Sequence, residues 1–250
     1  IELKKKYKYR LILDESLSFG TLGPRGAGLT DHFKVPVSDV EFVVGSLAHA
    51  LCSSGGFCAG THQICDHQRL SGLSYCFSAS LPALLAVAAS EGLNHIRDGE
   101  KVRKSGESVC LRDLRENGAA ILHILSNVRG IETAGAPGSP VVHLRLRSGV
   151  VPERESAVAE DGPFVSKQAS KRKSVEAKRQ EEERILQDIV DMCAKDGVLV
   201  TRAKYLWTQE VNPPAPSIRI CATSALTKRE TEKAANIIKS ACARVIARRR

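Results

Sequence analysis

Two short apolar runs, LILDE at 11–15 and VEFVVGS at 40–46, constrain this chain more than any other feature. Each is apolar almost throughout and stops in a polar turn, the pattern of a parallel strand covered on both faces. Parallel neighbours need a crossover between them, and the stretch in between carries glycines 20, 23, 26 and 28, which let a chain turn sharply. GGFCAG at 55–60 follows so closely that it reads as a third strand turning straight back. SLPALLAVAASEGLNH at 80–95 is rich in alanine and leucine, with Pro82 placed to open a helix. VCLRDLRENGAAILHILSNV repeats apolar residues at three and four, which predicts a second helix, and VVHLRLRS at 141–148 alternates like a strand with one wet face.

From Gly149 to Ser174 the chain reads GVVPERESAVAEDGPFVSKQASKRKS, polar and without period, as expected of a surface insertion or linker. Beyond it come a charged helix, VEAKRQEEERILQDIVDMCAKDG, stopped by Gly197, then strands VLVTRA and SIRICAT. TKRETEKAANIIKSACARVIA closes the chain as a helix, with Thr227 and Glu230 spaced for a capping box. The fold class is therefore α/β. Residues 1–100 are expected to belong to a large domain and residues 101–250 to a small α+β domain carrying the polar insertion.

The net charge of +9 is concentrated in KKKYK near the start, KRK at 171–173 and RRR at the end. Such clusters are usually solvated, so nucleic acid is not an expected partner, and a basic nucleic-acid-binding module is a reading from charge alone. Eight cysteines are scattered without a CxxC pair or zinc-finger spacing, and most sit in apolar segments. They read as buried thiols of a reducing compartment, with no metal site. No run approaches the roughly 18 apolar residues that span a bilayer. The chain opens on IELKKKYKYRLILDE without a methionine, which reads as a piece of a longer polypeptide.

Chemistry is expected at the ends of the parallel strands, where α/β proteins place ligands. Asp14 and Glu15 end the first strand and lead into the glycine-rich DESLSFGTLGPRGAG. Neither GxGxxG nor a GK[ST] ending is present, so a turn lining a cleft fits as well as a phosphate cradle, and Asp14 alone reads as a strand-end cap. After the second strand comes the turn Ser46-Leu47-Ala48-His49.

Taken together, DESLSFGTLGPRGAG, DVEFVVGS with its GGF, DHQRLSG and YCFSASLP resemble the α-oxoamine synthases, most of all the eukaryotic, plant-type members that begin sphingolipid synthesis. The resemblance extends over almost the whole chain. It implies the C-terminal part of a pyridoxal-phosphate-dependent transferase of fold type I, aspartate-aminotransferase-like, with a small α+β domain. It also implies that an N-terminal membrane anchor and the first part of the cofactor domain are missing. In catalytic members the turn after the second strand ends in the lysine that forms a Schiff base with pyridoxal phosphate. Here His49 stands at that position, and an imidazole has no primary amine, so the resemblance implies no catalytic residue in this chain and a turn role for His49. Where relatives carry D-[DE]-A-H, this chain has Asp14-Glu15-Ser16-Leu17. Asp14 keeps the position that pairs with the pyridinium nitrogen, while Leu17 replaces a histidine near the cofactor, which makes cofactor binding in this chain's own pocket doubtful.

Family active sites form between subunits, and a hydroxyl of the F-[ST]-[TN] segment reaches the cofactor phosphate held by the other subunit. Phe77-Ser78 matches that segment and Ala79 departs from it, so Ser78 is either a contributor to the partner's site or a helix N-cap near Pro82. The expected role is a non-catalytic subunit in a heterodimer. Its lysine-bearing partner would bind the pyridoxal phosphate, and the pair would condense L-serine with palmitoyl-CoA to 3-ketosphinganine. Small activating subunits, regulatory membrane proteins and an endoplasmic reticulum membrane location are further expectations of the resemblance. An independent acyltransferase using His49 as general base is the alternative within the enzymes.

Overall fold

The structure is a computed structural model that describes residues 1–98, 108–151, 167–206, 209–210 and 212–248. The chain divides into two compact units, Ile1–Leu114 and Arg115–Arg250.

In the first unit, helix α1 (Glu2–Tyr7) precedes strand β1 (Ile12–Asp14), and the glycine-rich loop, a short α2 (Leu29–His32) and a 3-10 turn lead to β2 (Phe42–Ser46). β1 and β2 run parallel, Asp14 opposite Val44, as the apolar runs predict. β3 (Gly56–Gly60) returns antiparallel, Ser46 opposite Gly56. A side chain at Gly56 would place its Cβ 2.9 Å from the carbonyl oxygen of Gly45, so this position keeps the strands at ladder distance only as glycine. The expectation of strands covered on both faces does not hold here. Ile12 is 66% exposed, so no described element covers that side of β1. α3 (His62–Ser71), α4 (Leu73–Phe77) and α5 (Ala83–Asp98) follow. The Pro82 carbonyl accepts the amides of Leu85 at 3.0 Å and Ala86 at 3.3 Å, so the proline stands at the helix entrance, where its missing N–H leaves no donor unpaired.

Helix α6 (Val109–Ser126) crosses the division between the units. In the second unit β4 (Ile131–Ala134), β5 (Val141–Leu146), β6 (Thr201–Arg202) and β7 (Ile218–Cys221) form an antiparallel sheet in the order β4-β5-β7-β6. β5 alternates as its sequence predicts: Val142 and Leu144 are buried and His143 lies half-buried on the other face. Leu125, Ile131, Leu144, Ile185, Leu186, Ile189 and Ile218 join one apolar core with residues of α8 (Lys228–Ala247). Inside it, the Asn117 amide donates to the carbonyls of Thr223 at 2.9 Å and Leu226 at 2.8 Å, pinning α6 to the turn before α8.

Three expectations change. Of the polar segment 149–174, residues 152–166 lie outside the described residues, and Lys167–Ser174 form the first turns of α7 (Lys167–Lys195). Lysine, glutamine, alanine and arginine are good helix formers, and a helix already running through 175 extends into them without needing an apolar face. VLVTRA pairs only over its last part, Thr201–Arg202, because Leu199 is exposed and has nothing to pack on. Of the cysteines, Cys193 and Cys242 are buried, whereas Cys52, Cys76 and Cys221 are exposed.

The Thr227 hydroxyl accepts the Glu230 amide at 3.3 Å and the Glu230 carboxylate accepts the Thr227 amide at 2.9 Å, so the capping box is formed. Thr227→Ala should lower stability by about 1 kcal/mol, read as a shift of the urea midpoint at constant slope. Hydrogen bonds from Thr227 hold the Glu230 carboxyl below its usual value, so this contribution is present above the unfolded pKa and fades as pH falls through the lowered one. The wild-type and Thr227→Ala midpoints should therefore converge in acid.

Candidate functional site

Parallel pairing brings the C-terminal ends of β1 and β2 to one edge, so the residues following Asp14 and Ser46 face the same side of the sheet. Asp14 is exposed, and its Oδ1 accepts the Ser16 amide at 2.8 Å. The hydroxyl and amide of Ser16 hold its carboxyl below the usual aspartate value, so it is ionised at neutral pH. Leu17, beside it, is 56% exposed.

Glu15 points the other way and is 1% exposed. Its amide extends the ladder to the Val44 carbonyl at 2.7 Å. Its carboxylate accepts the Ser18 hydroxyl and, at 2.9 and 3.0 Å on its two oxygens, the Leu29 amide. Thus a buried acid bridges both ends of the glycine-rich loop. Gly28, at φ +93°, is the cradle: a Cβ there would lie 2.5 Å from Glu15 Oε2. The glycines serve a carboxylate of this chain and close approach of backbone to side chain, which answers for them without a phosphate. Sequence reasoning noted Glu15 but had no sign that it is buried, because its partner amide lies fourteen residues on.

The same loop meets the His49 turn. A Cβ on Gly20, at φ +78°, would fall 2.4 Å from the Ala50 Cβ, and Phe19 packs edge-on against Phe57 with ring centres 5.3 Å apart. Leu47, Leu51 and Ala89 form the small core beneath. His49 itself is exposed. Its carbonyl accepts the Cys52 amide at 3.3 Å, but its ring has no hydrogen-bond partner among the described residues. A general base is normally oriented by a second group, and His49 has none.

Ser78 is exposed at the C-terminal end of α4, with extended dihedrals, φ −133° and ψ 160°. Its hydroxyl reaches only the neighbouring Ala79 carbonyl, at 3.5 Å. The N-cap alternative is therefore overturned, since Pro82 holds the entrance of α5. The segment after Ser78 runs back to the β2–β3 connection: Ser53 Oγ donates to the Leu85 carbonyl at 2.7 Å, and a Cβ on Gly55 would lie 2.7 Å from Leu81 Cδ1. The structure thus gathers Asp14, Leu17 and the His49 turn at one strand edge and leaves the Ser78 hydroxyl open to solvent.

The fit to pyridoxal phosphate is poor. No lysine occurs between Lys34 and Lys101, so no amine follows β2 to hold an aldehyde covalently. The ionised Asp14 keeps a charge suited to a pyridinium nitrogen, but an exposed Leu17 offers no polar contact. Among the described residues no group of three or more histidines, cysteines or carboxylates is placed to hold a metal.

Comparison with known proteins matches residues 1–238 to the family described as aminotransferase class I and II. Serine palmitoyltransferase 1 of Dictyostelium discoideum is 34% identical over 242 residues, 96% of this chain and 44% of the relative. Serine palmitoyltransferase 1 of Saccharomyces cerevisiae is 34% identical over 244 residues, 95% of this chain and 43% of the relative. Long chain base biosynthesis protein 1c of Oryza sativa is 43% identical over 148 residues, 59% of this chain and 29% of the relative. The chain thus spans less than half the length of these relatives. Among solved structures, Sphingomonas wittichii serine palmitoyltransferase superposes with a TM-score of 0.70 at 17% identity, covering 98% of this chain and 50% of that one. An 8-amino-7-oxononanoate synthase from Francisella tularensis gives 0.62 at 19% identity, covering 96% and 57%. The α/β fold expected of a pyridoxal-phosphate-dependent transferase is the fold observed.

Removing the Glu15 carboxylate should loosen the loop it bridges. Glu15→Ala leaves the Leu29 amide and the Ser18 hydroxyl without their acceptor, at a cost of about 1–3 kcal/mol for each group that stays buried. Gly28→Ala should cost a comparable amount through its positive φ and the clash. Hydrogen exchange of residues 18–29 should rise in both variants while that of β5 and α8 stays at wild-type rates.

Proposed function

The chain belongs to the aminotransferase class I and II family, and on that premise we propose that it is the subunit of a serine palmitoyltransferase that lacks the Schiff-base lysine. In this reading it pairs with the catalytic long-chain-base subunit 2. That partner binds pyridoxal phosphate through its own lysine, and the pair condenses L-serine with palmitoyl-CoA to 3-ketosphinganine, the entry to sphingolipid long-chain bases. This chain alone is inactive. The observation that carries the reading is His49 in the turn after β2, with no lysine anywhere from residue 35 to residue 100. The names of the relatives, serine palmitoyltransferase 1 and long chain base biosynthesis protein 1, give the chemistry its direction.

The surface around Ser78 supports a subunit contact. Phe77 is 84% exposed, and Leu70, Leu73, Leu84 and Val87 nearby in sequence are also largely open. Side chains this large, left in water close together along the chain, favour burial by another protein surface. An open Ser78 hydroxyl in that stretch is free to donate to the partner's cofactor phosphate. We assign the assembly to the endoplasmic reticulum membrane, with small activating subunits and regulatory membrane proteins as further partners. No helix among the described residues is long and apolar enough to cross a membrane.

The alternatives draw less support. An independent acyltransferase would need His49 as a base, and nothing orients its ring. For nucleic acid, the basic start of the chain is partly engaged: Lys4 pairs with Glu41 at 2.6 Å and Lys5 with Asp39 at 4.0 Å.

Borohydride reduction in the presence of pyridoxal phosphate should leave no stoichiometric pyridoxyl-lysine in this chain, by peptide mapping, while labelling its partner. A defined adduct on this chain would end the reading of a subunit without the Schiff-base lysine. In the co-expressed pair, Ser78→Ala should weaken cofactor affinity by about 1–3 kcal/mol, the worth of a hydrogen bond to a charged group. Ser78→Phe should damage activity more, with assembly checked by co-purification. Wild-type turnover in both variants would withdraw Ser78 from the partner's site.

A further inference from the structure

The first ten residues carry four lysines and an arginine against one glutamate. Two of these cations are engaged by the chain itself. Lys4 pairs with Glu41 at 2.6 Å, and its ammonium also donates to the Asp39 carbonyl, so its side chain is only 18% exposed. Lys5 reaches the Asp39 carboxylate at 4.0 Å. Glu41 also accepts the Leu11 amide at 2.9 Å. Helix α1 and the chain that leaves it are therefore fixed at two points to the residues that precede β2.

This anchoring leaves a mixed face outward. Leu3, Lys6 and Tyr7 stand three and four residues apart and share one side of α1. Leu3 is 61% and Tyr7 63% exposed, and the Lys6 ammonium lies 5.1 Å from the centre of the Tyr7 ring. Lys8 ends the helix at φ +55°, which turns the chain sharply, and Tyr9 and Arg10 follow it, both exposed. Lys6, Lys8 and Arg10 make no ion pair among the described residues. Apolar bodies thus alternate with unpaired cations along one short, anchored stretch.

The cores of protein interfaces are poor in lysine, because an ammonium taken out of water needs a matching carboxylate. Nucleic acid would meet the cations with phosphate but gives Leu3 nothing to pack on. An anionic bilayer meets both needs: its headgroups take the cations, and its interfacial layer takes the leucine and the tyrosine rings while their hydroxyls stay at the water level. We propose that residues 3–10 are a docking face for an anionic lipid surface. At six residues α1 is far too short to span a bilayer, so the contact is peripheral. The proposal concerns a lipid contact of this chain's own and does not rest on the subunit reading.

The test is co-sedimentation of the purified chain, alone and co-expressed with its partner, with vesicles of phosphatidylcholine and with vesicles of phosphatidylcholine and phosphatidylserine. Binding should require the phosphatidylserine and weaken as salt rises. Lys6→Gln, Lys8→Asn and Arg10→Gln should each lower partitioning about fivefold, asparagine being chosen because it tolerates the left-handed backbone at position 8. Leu3→Ser should weaken binding without changing its salt dependence, and Tyr7→Trp should shift its emission to the blue on binding. Lys233→Gln with Lys239→Gln, which removes two exposed cations from α8, should leave binding unchanged. Equal binding to phosphatidylcholine alone, or an equal loss in the α8 variant, overturns the proposal. So does vesicle binding that vanishes in the co-expressed pair, which would give the face to the partner. Tighter binding to duplex DNA than to anionic vesicles through the same three cations would give it to nucleic acid and overturn the proposal as well.

Discussion

A carboxylate removed from water must find its donors inside the protein, and Glu15 finds them at both ends of the loop that begins with it. This one requirement fixes much of the first unit. The Leu29 amide has to come within hydrogen-bonding distance, which draws the loop closed and admits only glycine at position 28. The closed loop then lays Phe19 against Phe57 and Gly20 against Ala50, so the turn that carries His49 is held by the acid next to Asp14. Two neighbouring acids at one strand end thus have opposite tasks. Glu15 builds the edge and Asp14 stays ionised on it.

The same edge separates what a scaffold needs from what a chemistry needs. The parallel strands, the loop and the turn need apolar packing, glycines and one buried acid, and all are present. Covalent capture of an aldehyde needs one amine at one position, and substituting it leaves the packing untouched because the side chain at that position is exposed. In the reading we propose, a histidine in place of the lysine is structurally silent, and a subunit that does not itself react keeps the shape its partner requires.

The two units differ in how much of their apolar surface they bury by themselves. The second unit closes a core from three helices and a four-stranded sheet, and residues such as Leu125, Ile131 and Leu144 are fully out of water. The first has the small cluster of Leu47, Leu51 and Ala89, and it leaves Ile12, Phe77 and Leu84 in solvent. Such a unit gains stability from whatever covers those side chains.

Periodicity and end signals made the element order legible. Alternation marked β5, continuous apolar runs marked β1 and β2, and Thr227 with Glu230 marked the start of α8, because these depend on neighbours within a turn or a strand. The absence of lysine from residues 35–100 was equally plain, since a primary amine is either in the sequence or not. Tertiary structure alone decided which of Asp14 and Glu15 is buried, since the deciding amide belongs to Leu29. It decided that Ser78 ends a helix and that Pro82 opens the next, because the break at 78–82 follows from packing on the β2–β3 connection.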